Sequence, residues 1–301
     1  MVYVVRLIEK EVQLPPGVIN LVHGGKESVE ALIKNKHVAG VTFVGSTAAA
    51  KNVYRLAGEY GKRVIAQGGA KNPIVVMPDA RLDKFMPSII SSFFGNAGQR
   101  CLAGSNLITI GESAERVKRM FVNAASQLRI GYGLDSGTDM GPLVTAEARV
   151  RVKSLIAQGI EEGADLILDG RETIVEEYPG GFYLGPTILE DVTPDMTVAK
   201  TEIFGPVASI IHAENVDQAI EIINNCTDYG NMACIFTSDG GSARKFKRKV
   251  NAGNIGVNIG VAAPTAQFPF SGRRNSFYGT LHAQADTVDF FTDRKVIISR
   301  W

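Results

Sequence analysis

The sequence predicts an α/β protein built on parallel, doubly wound sheets. Three observations lead to this class. Apolar segments of strand length alternate with segments of helical apolar spacing along most of the 301 residues, several strands end in glycine, and the connections between elements are short. Alternation of this kind places helices on the faces of a parallel sheet, so we expect two successive α/β units.

The first unit contains two strand-helix pairs and a third strand. Residues 1–13 have the pattern of a helix or strand remnant, which Pro15 and Pro16 end. The predicted elements that follow are a strand at 18–23, a helix at 27–34, a strand at 38–44, a helix at 47–60 and a strand at 62–66.

The second unit begins near Asn72 and alternates in the same way. Its tail is different, since the apolar run 296–298 is flanked by charge and has no segment after it to cover an edge. Such a strand either pairs with another subunit or closes its own sheet. The predicted elements of the second unit are strands at 72–77, 106–110, 164–170, 207–211, 233–236 and 254–258 and helices at 82–94, 113–129, 146–162, 216–224 and 241–250.

Charge and composition indicate small-molecule chemistry. The 32 basic and 31 acidic residues are spread along the chain and leave a net charge of +1, so we expect no nucleic-acid partner. No run approaches the roughly 18 apolar residues of a membrane helix, and the first residues lack a secretory signal pattern. We therefore expect a soluble protein with no membrane partner.

Cysteine and histidine usage indicates a reducing compartment and no metal site. Three cysteines, an odd number without C-x-x-C spacing, form neither a disulfide framework nor a zinc motif. We expect the cytoplasm, or the mitochondrial matrix in a eukaryote. The histidines are scattered, which argues against a metal site or a catalytic triad; they are His23, His37, His212 and His282.

Cys101 is the candidate nucleophile. It follows Arg100 in the glycine-containing stretch F-F-G-N-A-G-Q-R-C, between the predicted helix 82–94 and strand 106–110. Catalytic groups tend to lie on loops held by rigid elements, and glycines let the backbone approach a ligand closely. The alternative is a small buried hydrophobic residue.

Gly45 and Ser46 are candidate phosphate contacts. They stand where a predicted strand ends and a helix begins, and helix N-termini in doubly wound sheets favour phosphate. The alternative is a simple helix cap, with Ser46 or Thr47 accepting from amides of the first turn. The G-x-G-x-x-G fingerprint of dinucleotide-binding folds is absent.

Eight segments, in register along essentially the whole chain, resemble the aldehyde dehydrogenase superfamily. They are L-P-P-G-V-I-N-L-V-H-G, F-V-G-S-T, G-G-A-K-N-P, F-G-N-A-G-Q-R-C, M-G-P-L-V, G-P-T-I-L, E-I-F-G-P-V and the F-F-T…W end. Within the superfamily, G-Q-R-C and A-Q-G-G-A-K-N-P are most similar to the methylmalonate (malonate) semialdehyde dehydrogenases, the branch that transfers the acyl group to coenzyme A.

The resemblance implies a fold of three parts. It implies a truncated, Rossmann-like NAD-binding lobe at 1–69, a catalytic lobe at 70–275, and a C-terminal tail with an oligomerisation strand at 276–301. It also implies a homo-oligomer, either a dimer or a tetramer.

The resemblance further implies NAD-dependent oxidation of a short semialdehyde to an acyl-coenzyme A. Cys101 would attack the aldehyde and carry the acyl group as a thioester. Arg100 would bind the substrate carboxylate through its planar fork of donors, the alternative being an arginine that pairs with a neighbouring acid or faces solvent. Gln67 stands where hydrolytic members carry a glutamate base, and glutamine cannot accept that proton. Another carboxylate could supply the base instead.

The remaining cofactor contacts implied by the resemblance are Gly68, Glu202 and Phe204. In the E-x-F pair, Glu202 would accept from ribose hydroxyls and Phe204 would pack near the nicotinamide. Composition alone allows a surface carboxylate and a core aromatic residue instead.

The resemblance begins part-way into the family, whose members carry a long portion before L-P-P-G. That portion supplies early strands of the cofactor sheet and an asparagine of the oxyanion hole, and one such donor is worth about a hundred- to a thousand-fold in rate. The chain is therefore expected to be a fragment, a split-gene product or the result of a mis-assigned start. One alternative function is a catalytically silent subunit or partner of a complete homologue. A hydrolytic aldehyde dehydrogenase is the other alternative.

Overall fold

The computed structural model describes residues 1–12, 14–279 and 286–301. The helices are α1 (Val2–Val12), α2 (Lys26–Lys34), α3 (Thr47–Glu59), α4 (Leu82–Phe94), α5 (Ala114–Ser126), α6 (Ala146–Glu161), α7 (Thr197–Lys200), α8 (Val216–Asn225), α9 (Gly240–Lys249) and α10 (Thr287–Phe291), with 3₁₀ turns at Gly95–Gly98 and Gly111–Ser113. The strands are β1 (Gly40–Val44), β2 (Arg63–Gln67), β3 (Asn72–Val76), β4 (Gly104–Ile110), β5 (Asp165–Leu168), β6 (Thr187–Glu190), β7 (Val207–Ala213), β8 (Tyr229–Gly230), β9 (Met232–Phe236), β10 (Asn254–Val257), β11 (Arg273–Arg274) and β12 (Phe277–Tyr278).

A seven-stranded sheet forms the centre of the larger unit. Its order is β10-β9-β3-β4-β7-β6-β5, and every neighbouring pair is parallel except β5 with β6. All five residues of β3 are buried, as expected for a parallel strand that is covered on both faces. The alternation of strands and helices predicted for this unit is confirmed.

Helix α4 is held by aromatic packing against α5. Phe93 and Phe94 on α4 are at most 1% exposed, and their ring centroids lie 5.1 and 5.7 Å from that of Phe121 on α5. Because α4 leads directly into the Cys101 loop, this cluster fixes one side of the candidate site.

The smaller sheet has the order β1-β2-β12. Strands β1 and β2 are parallel, whereas β12 pairs antiparallel with β2 through Phe277 and Gln67. A small apolar cluster lies under this sheet, where Ile33 of α2 packs with Val53 and Leu56 of α3. The segment predicted as a C-terminal tail thus contributes a strand to the first sheet.

One predicted strand is wrong, because residues 18–23 form bends and irregular chain. Residues 296–298 have no regular structure in this single chain, and their side chains are 77 to 93% exposed. Pairing of this run with another subunit stays a prediction. The segment 1–13, predicted as a helix or strand remnant, is helical over Val2–Val12, and Gln13 lies outside the described residues. None of the described helices has the length and apolarity needed to cross a bilayer.

Candidate active site

A cleft of about 1090 Å³ brings the predicted site residues together. It is lined by the segment that joins β1 to α3, by the loop before β4 and by the segment between α7 and β7. The seven residues predicted to act in catalysis, substrate binding or cofactor binding all line it; they are Gly45, Ser46, Gly68, Arg100, Cys101, Glu202 and Phe204.

The Cys101 loop occupies the irregular connection predicted for it, between the 3₁₀ turn Gly95–Gly98 and β4. Two buried amides hold its backbone. Asn72 Nδ2 donates to the carbonyls of Cys101 (2.9 Å) and Ala103 (2.8 Å), and Asn231 Nδ2 donates to the same Cys101 carbonyl (2.9 Å). The position of Cys101 is therefore set by its backbone and leaves its thiol free to face the cleft.

The approach to this loop contains strained backbone. Asn96 and Ala97 have φ of 55° and 51°, in the left-handed region that non-glycine residues seldom adopt. Gly98 follows with φ of 68°, and a Cβ there would lie 2.1 Å from the carbonyl oxygen of Gly205. Strain of this kind costs about 1–3 kcal/mol per residue and clusters at functional sites, so Gly98 is required by a close approach as well as by its backbone angle.

The thiol of Cys101 is only partly exposed, and burial raises its pKa above the ordinary value for cysteine. Its own backbone N–H, that of Leu102 and the Arg100 guanidinium act in the opposite direction, whereas the carboxylate of Glu202 raises the pKa further. At neutral pH the group is consequently held mainly as the thiol.

Arg100 is held by the backbone of α4, which neither of the simpler roles suggested by the sequence, an ion pair or a solvent-facing side chain, predicted. It neither pairs with an acid nor points freely into solvent, because its Nη2 donates to the carbonyls of Ser91 and Ser92 at the end of α4. Its Nε is buried without a hydrogen-bond partner among the described residues. Burial lowers the pKa of the guanidinium, which remains charged at any ordinary pH. The guanidinium thus places a fixed positive charge in the wall of the cleft beside Cys101.

Glu202 is fixed against the backbone. Its Oε1 accepts from the Ala70 N–H (2.8 Å), and Arg151 donates to the carbonyls of Glu202 and Ile203. Burial raises the pKa of the Glu202 carboxyl, although the Ala70 hydrogen bond and the charge of Arg151 oppose that shift. Phe204 follows with φ of 52° and is 40% exposed. Phe204 is thus not a core residue, and its backbone conformation is strained.

Ser46 caps helix α3, which confirms the helix cap that was considered as the alternative to a phosphate contact. Its Oγ accepts from the Ala49 N–H at 3.4 Å. Gly45 has an internal reason to be glycine, since a Cβ there would lie 2.7 Å from the ring of Phe43. These observations account for both residues without a ligand, yet they also leave the N-terminus of a 13-residue helix open to the cleft.

Gln67 lies outside the cleft described above. It lines a separate cavity of about 300 Å³ together with Phe290 and Phe291, while the neighbouring Gly68 lines the cleft itself. Among the described residues that line the cleft, Glu202 is the one carboxylate.

Comparison with known proteins identifies the family. The profile of the aldehyde dehydrogenase family matches residues 1–297. The chain belongs to the aldehyde dehydrogenase family. The predicted resemblance and the α/β fold class are therefore confirmed.

Similar aldehyde dehydrogenases include malonate-semialdehyde dehydrogenase 2 of Geobacillus kaustophilus, which is 46% identical over 97% of this chain and 60% of its own length. The malonate-semialdehyde dehydrogenase of Listeria innocua is 44% identical over 98% of this chain and 60% of its own length. A crystal structure of a methylmalonate-semialdehyde dehydrogenase from Sinorhizobium meliloti, described as putative and complexed with NAD, has a TM-score of 0.95 at 42% identity and covers 99% of this chain and 61% of that one. An aldehyde dehydrogenase of Mycobacterium tuberculosis complexed with NAD+ has a TM-score of 0.89 at 32% identity, covering 96% and 59%. The chain thus spans about 60% of the length of these relatives.

Sequence reasoning missed the residues that support the site. Asn72 lies within a motif quoted for the resemblance, but nothing in the pattern distinguishes its role from that of its neighbours. Asn231 is 130 positions from Cys101, and no spacing rule connects them. Arg151 lies on α6, where its spacing resembles that of any exposed basic residue of a helix.

Proposed function

We propose that this aldehyde dehydrogenase family member oxidises a short semialdehyde, malonate or methylmalonate semialdehyde, to an acyl-coenzyme A with NAD as the hydride acceptor. The single observation that carries the proposal is the cleft in which all seven predicted site residues meet. The relatives' names support the substrate class, since the similar proteins include malonate-semialdehyde dehydrogenases.

The cleft residues fit a nicotinamide dinucleotide. The open N-terminus of α3 beside Gly45 and Ser46 suits a phosphate, because first-turn amides and the helix dipole favour an anion. Glu202 presents a carboxylate fixed by the Ala70 N–H, which suits hydroxyl donors of a ribose. Phe204 offers an exposed ring for a planar group, and Gly68 adds backbone to the wall. When bound, NAD would supply the acceptor for the hydride that leaves the substrate carbon.

Cys101 performs the covalent chemistry. After its thiol loses a proton, Sγ attacks the aldehyde carbon and forms a carbon-sulfur bond, while the carbonyl oxygen gains the negative charge. Loss of hydride from that carbon restores the carbonyl and leaves a thioester on Cys101. Since burial raises the pKa of the thiol, the first step follows the thiolate fraction and accelerates with pH.

Arg100 holds the substrate by its carboxylate. The charge of the guanidinium, which lines the cleft beside Cys101, favours an anionic group there, and an unsubstituted aldehyde lacks one. This interaction selects a semialdehyde over a simple aldehyde of the same length.

Coenzyme A completes the cycle. Its thiolate attacks the thioester carbon, the bond to Cys101 breaks, and the enzyme thiol is regenerated. The identity of residue 67 supports this route over hydrolysis: hydrolytic members carry a glutamate base there, and Gln67, which lines the neighbouring cavity, cannot accept that proton. We further propose a homo-oligomer, dimer or tetramer, in a reducing compartment such as the cytoplasm or mitochondrial matrix. The free thiols of Cys101, Cys226 and Cys234 support that compartment.

The test is NADH formation by the purified chain with NAD, malonate semialdehyde and coenzyme A. We expect turnover that requires coenzyme A, is abolished by Cys101→Ala, and is kept by Cys226→Ala, whose thiol lies outside the cleft. Arg100→Met should raise KM for malonate semialdehyde while leaving KM for propanal, which has no carboxylate, nearly unchanged.

Three outcomes would overturn parts of the proposal. NADH formation at the same rate without coenzyme A would indicate a hydrolytic enzyme. Absence of NADH, with NAD binding intact by calorimetry, would indicate a catalytically silent subunit. Retained turnover in Cys101→Ala would remove the nucleophile assignment.

A further inference from the structure

A cluster of metal-ligating side chains lies at the opposite end of the seven-stranded sheet from the cleft. Glu190 ends β6, Asp191 follows it, and His212 lies near the end of β7. One ligand atom of each lies within 4.8 Å of the other two. Cys101 precedes the amino end of β4, whose seven residues span about 20 Å, so the cluster is remote from the cleft.

The distances between these atoms suit a shared metal ion. His212 Nε2 lies 3.7 Å from Glu190 Oε1 and 3.6 Å from Asp191 Oδ1, too far for hydrogen bonds. Two ligand atoms that each lie about 2.1 Å from a tetrahedral Zn²⁺ are about 3.4 Å apart. A small contraction would therefore place all three atoms around one ion.

A residue outside the cluster orients the imidazole. The hydroxyl of Thr109, a fully buried residue on β4, shares a 2.7 Å hydrogen bond with His212 Nδ1. Thr109 is the register partner of His212 in the parallel pair β4-β7, so the sheet itself fixes this contact. Metal-binding histidines generally donate their other ring N–H to an oxygen, and this bond leaves Nε2 directed toward the two carboxylates.

Lys118 competes with a metal ion for the carboxylate of Glu190. Its Nζ lies 2.7 Å from Glu190 Oε1 and 2.7 Å from Glu115 Oε1. An ion would displace Lys118 from Glu190, and the lysine would keep its pair with Glu115. The competition predicts modest affinity in the wild-type chain and tighter binding once the charge of Lys118 is removed.

We propose that Glu190, Asp191 and His212 bind one Zn²⁺ ion, with water in the remaining position. A set of one imidazole and two carboxylates matches the ligands that zinc takes in proteins. The ion links the carboxyl ends of β6 and β7 and stabilises the folded chain, since a ligand that binds only the folded state adds to its stability. Scattered histidines in the sequence did not predict this site; His212 meets the acidic pair only through the sheet, and His282 lies outside the described residues.

The test is a calorimetric titration of Zn²⁺ into the untagged chain carrying Cys101→Ala, which removes a competing thiol. We expect one site, weakened at least about a hundredfold by His212→Ala and about tenfold by the isosteric Thr109→Val. Lys118→Met should tighten binding roughly tenfold, because a neighbouring positive charge is lost. The exposed His37→Ala should leave binding unchanged and serves as the matched control.

Zn²⁺ should also raise the unfolding temperature of the Cys101→Ala chain, and His212→Ala should remove that rise. Circular dichroism before titration establishes that each variant is folded. Absence of any Zn²⁺ site in the Cys101→Ala chain, or an unchanged site in folded His212→Ala, would overturn the proposal. Weaker binding in Lys118→Met would refute the role assigned to that lysine.

Discussion

Lys71 is a buried amine without a hydrogen-bond partner among the described residues. It is 2% exposed, and its burial lowers the pKa from the ordinary value of 10.5 to about 7. The thiol of Cys226 and the carboxylate of Glu202 oppose the shift without cancelling it. Between pH 7 and pH 10.5 the unfolded chain therefore binds a proton at Lys71 that the folded chain does not.

This difference has a definite sign. Stability rises with pH wherever the unfolded state binds more protons, so the free energy of unfolding should increase above pH 7. The slope approaches about 1.4 kcal/mol per pH unit, and the increase from pH 7 to pH 9 is about 2 kcal/mol because half of the folded chains still carry the proton at pH 7. Below pH 7 both states are protonated, and the full cost of burying the ammonium remains constant.

Lys71→Met isolates this contribution. Methionine fills a similar volume without an amine, so the variant should unfold at a higher urea concentration than the wild type at pH 6.5. The advantage should shrink by about 2 kcal/mol between pH 7 and pH 9, since only the wild type gains stability from this amine there. Urea unfolding followed by circular dichroism measures it.

Lys51→Met is the matched control, because Lys51 is an exposed residue on α3. Its stability difference from the wild type should stay within about 0.5 kcal/mol and should not vary with pH. A Lys71→Met difference that is the same at pH 7 and pH 9 would refute the argument, since Lys71 would then keep one protonation state in the folded chain throughout.

Three further predictions concern the site and its support. Asn72→Ala should cost about 2–6 kcal/mol of unfolding free energy, because it orphans the buried N–H of Met232 and the carbonyl of Ala103; an unchanged urea midpoint would contradict this. Iodoacetamide labelling of Cys101 should rise with pH through a midpoint above the ordinary thiol value, and Glu202→Gln should accelerate labelling at pH 7 because it removes a charge that raises the pKa of Cys101; slower labelling would argue against that coupling. Phe121→Ala should cost about 3–5 kcal/mol, measured by urea unfolding, and a loss below 1 kcal/mol would show that the ring cluster does not hold α4.

The Cys101 loop could be predicted because both of its neighbours have strong patterns. Helix α4 has the predicted bounds, and β4 begins two residues before its predicted start. These elements bury residues at helical and strand spacing respectively, so periodicity alone places the loop between them. The chemistry assigned to Cys101 came from the family resemblance and remains a proposal.

The strand predicted at 18–23 failed for a physical reason. Val18 and Val22 are 61% and 63% exposed, and no neighbouring strand pairs with them among the described residues. A β-branched run favours a strand mainly through packing against cross-strand neighbours, so its pattern has little effect without them.

Hydrogen bonds between neighbouring strands of the sheet could not be predicted from the sequence either. Asn231 reaches the Cys101 carbonyl, and Thr109 reaches His212, only because strands far apart in sequence are neighbours in the fold. Polar residues at such positions show no periodicity of their own. Local patterns therefore predict which elements form, whereas the hydrogen bonds that position reactive groups depend on strand order.

The site combines a firmly held backbone with a thiol that the free protein keeps protonated. Asn72 and Asn231 fix the carbonyl of Cys101, but burial and the charge of Glu202 raise the pKa of its thiol. Under the proposed function, a ribose that donates hydrogen bonds to Glu202 would weaken the field of that carboxylate at Sγ. Cofactor binding would then lower the pKa of Cys101 and activate the nucleophile when the hydride acceptor is in place. Reactive thiolate in the empty enzyme would be scarce, which protects Cys101 from oxidation between turnovers.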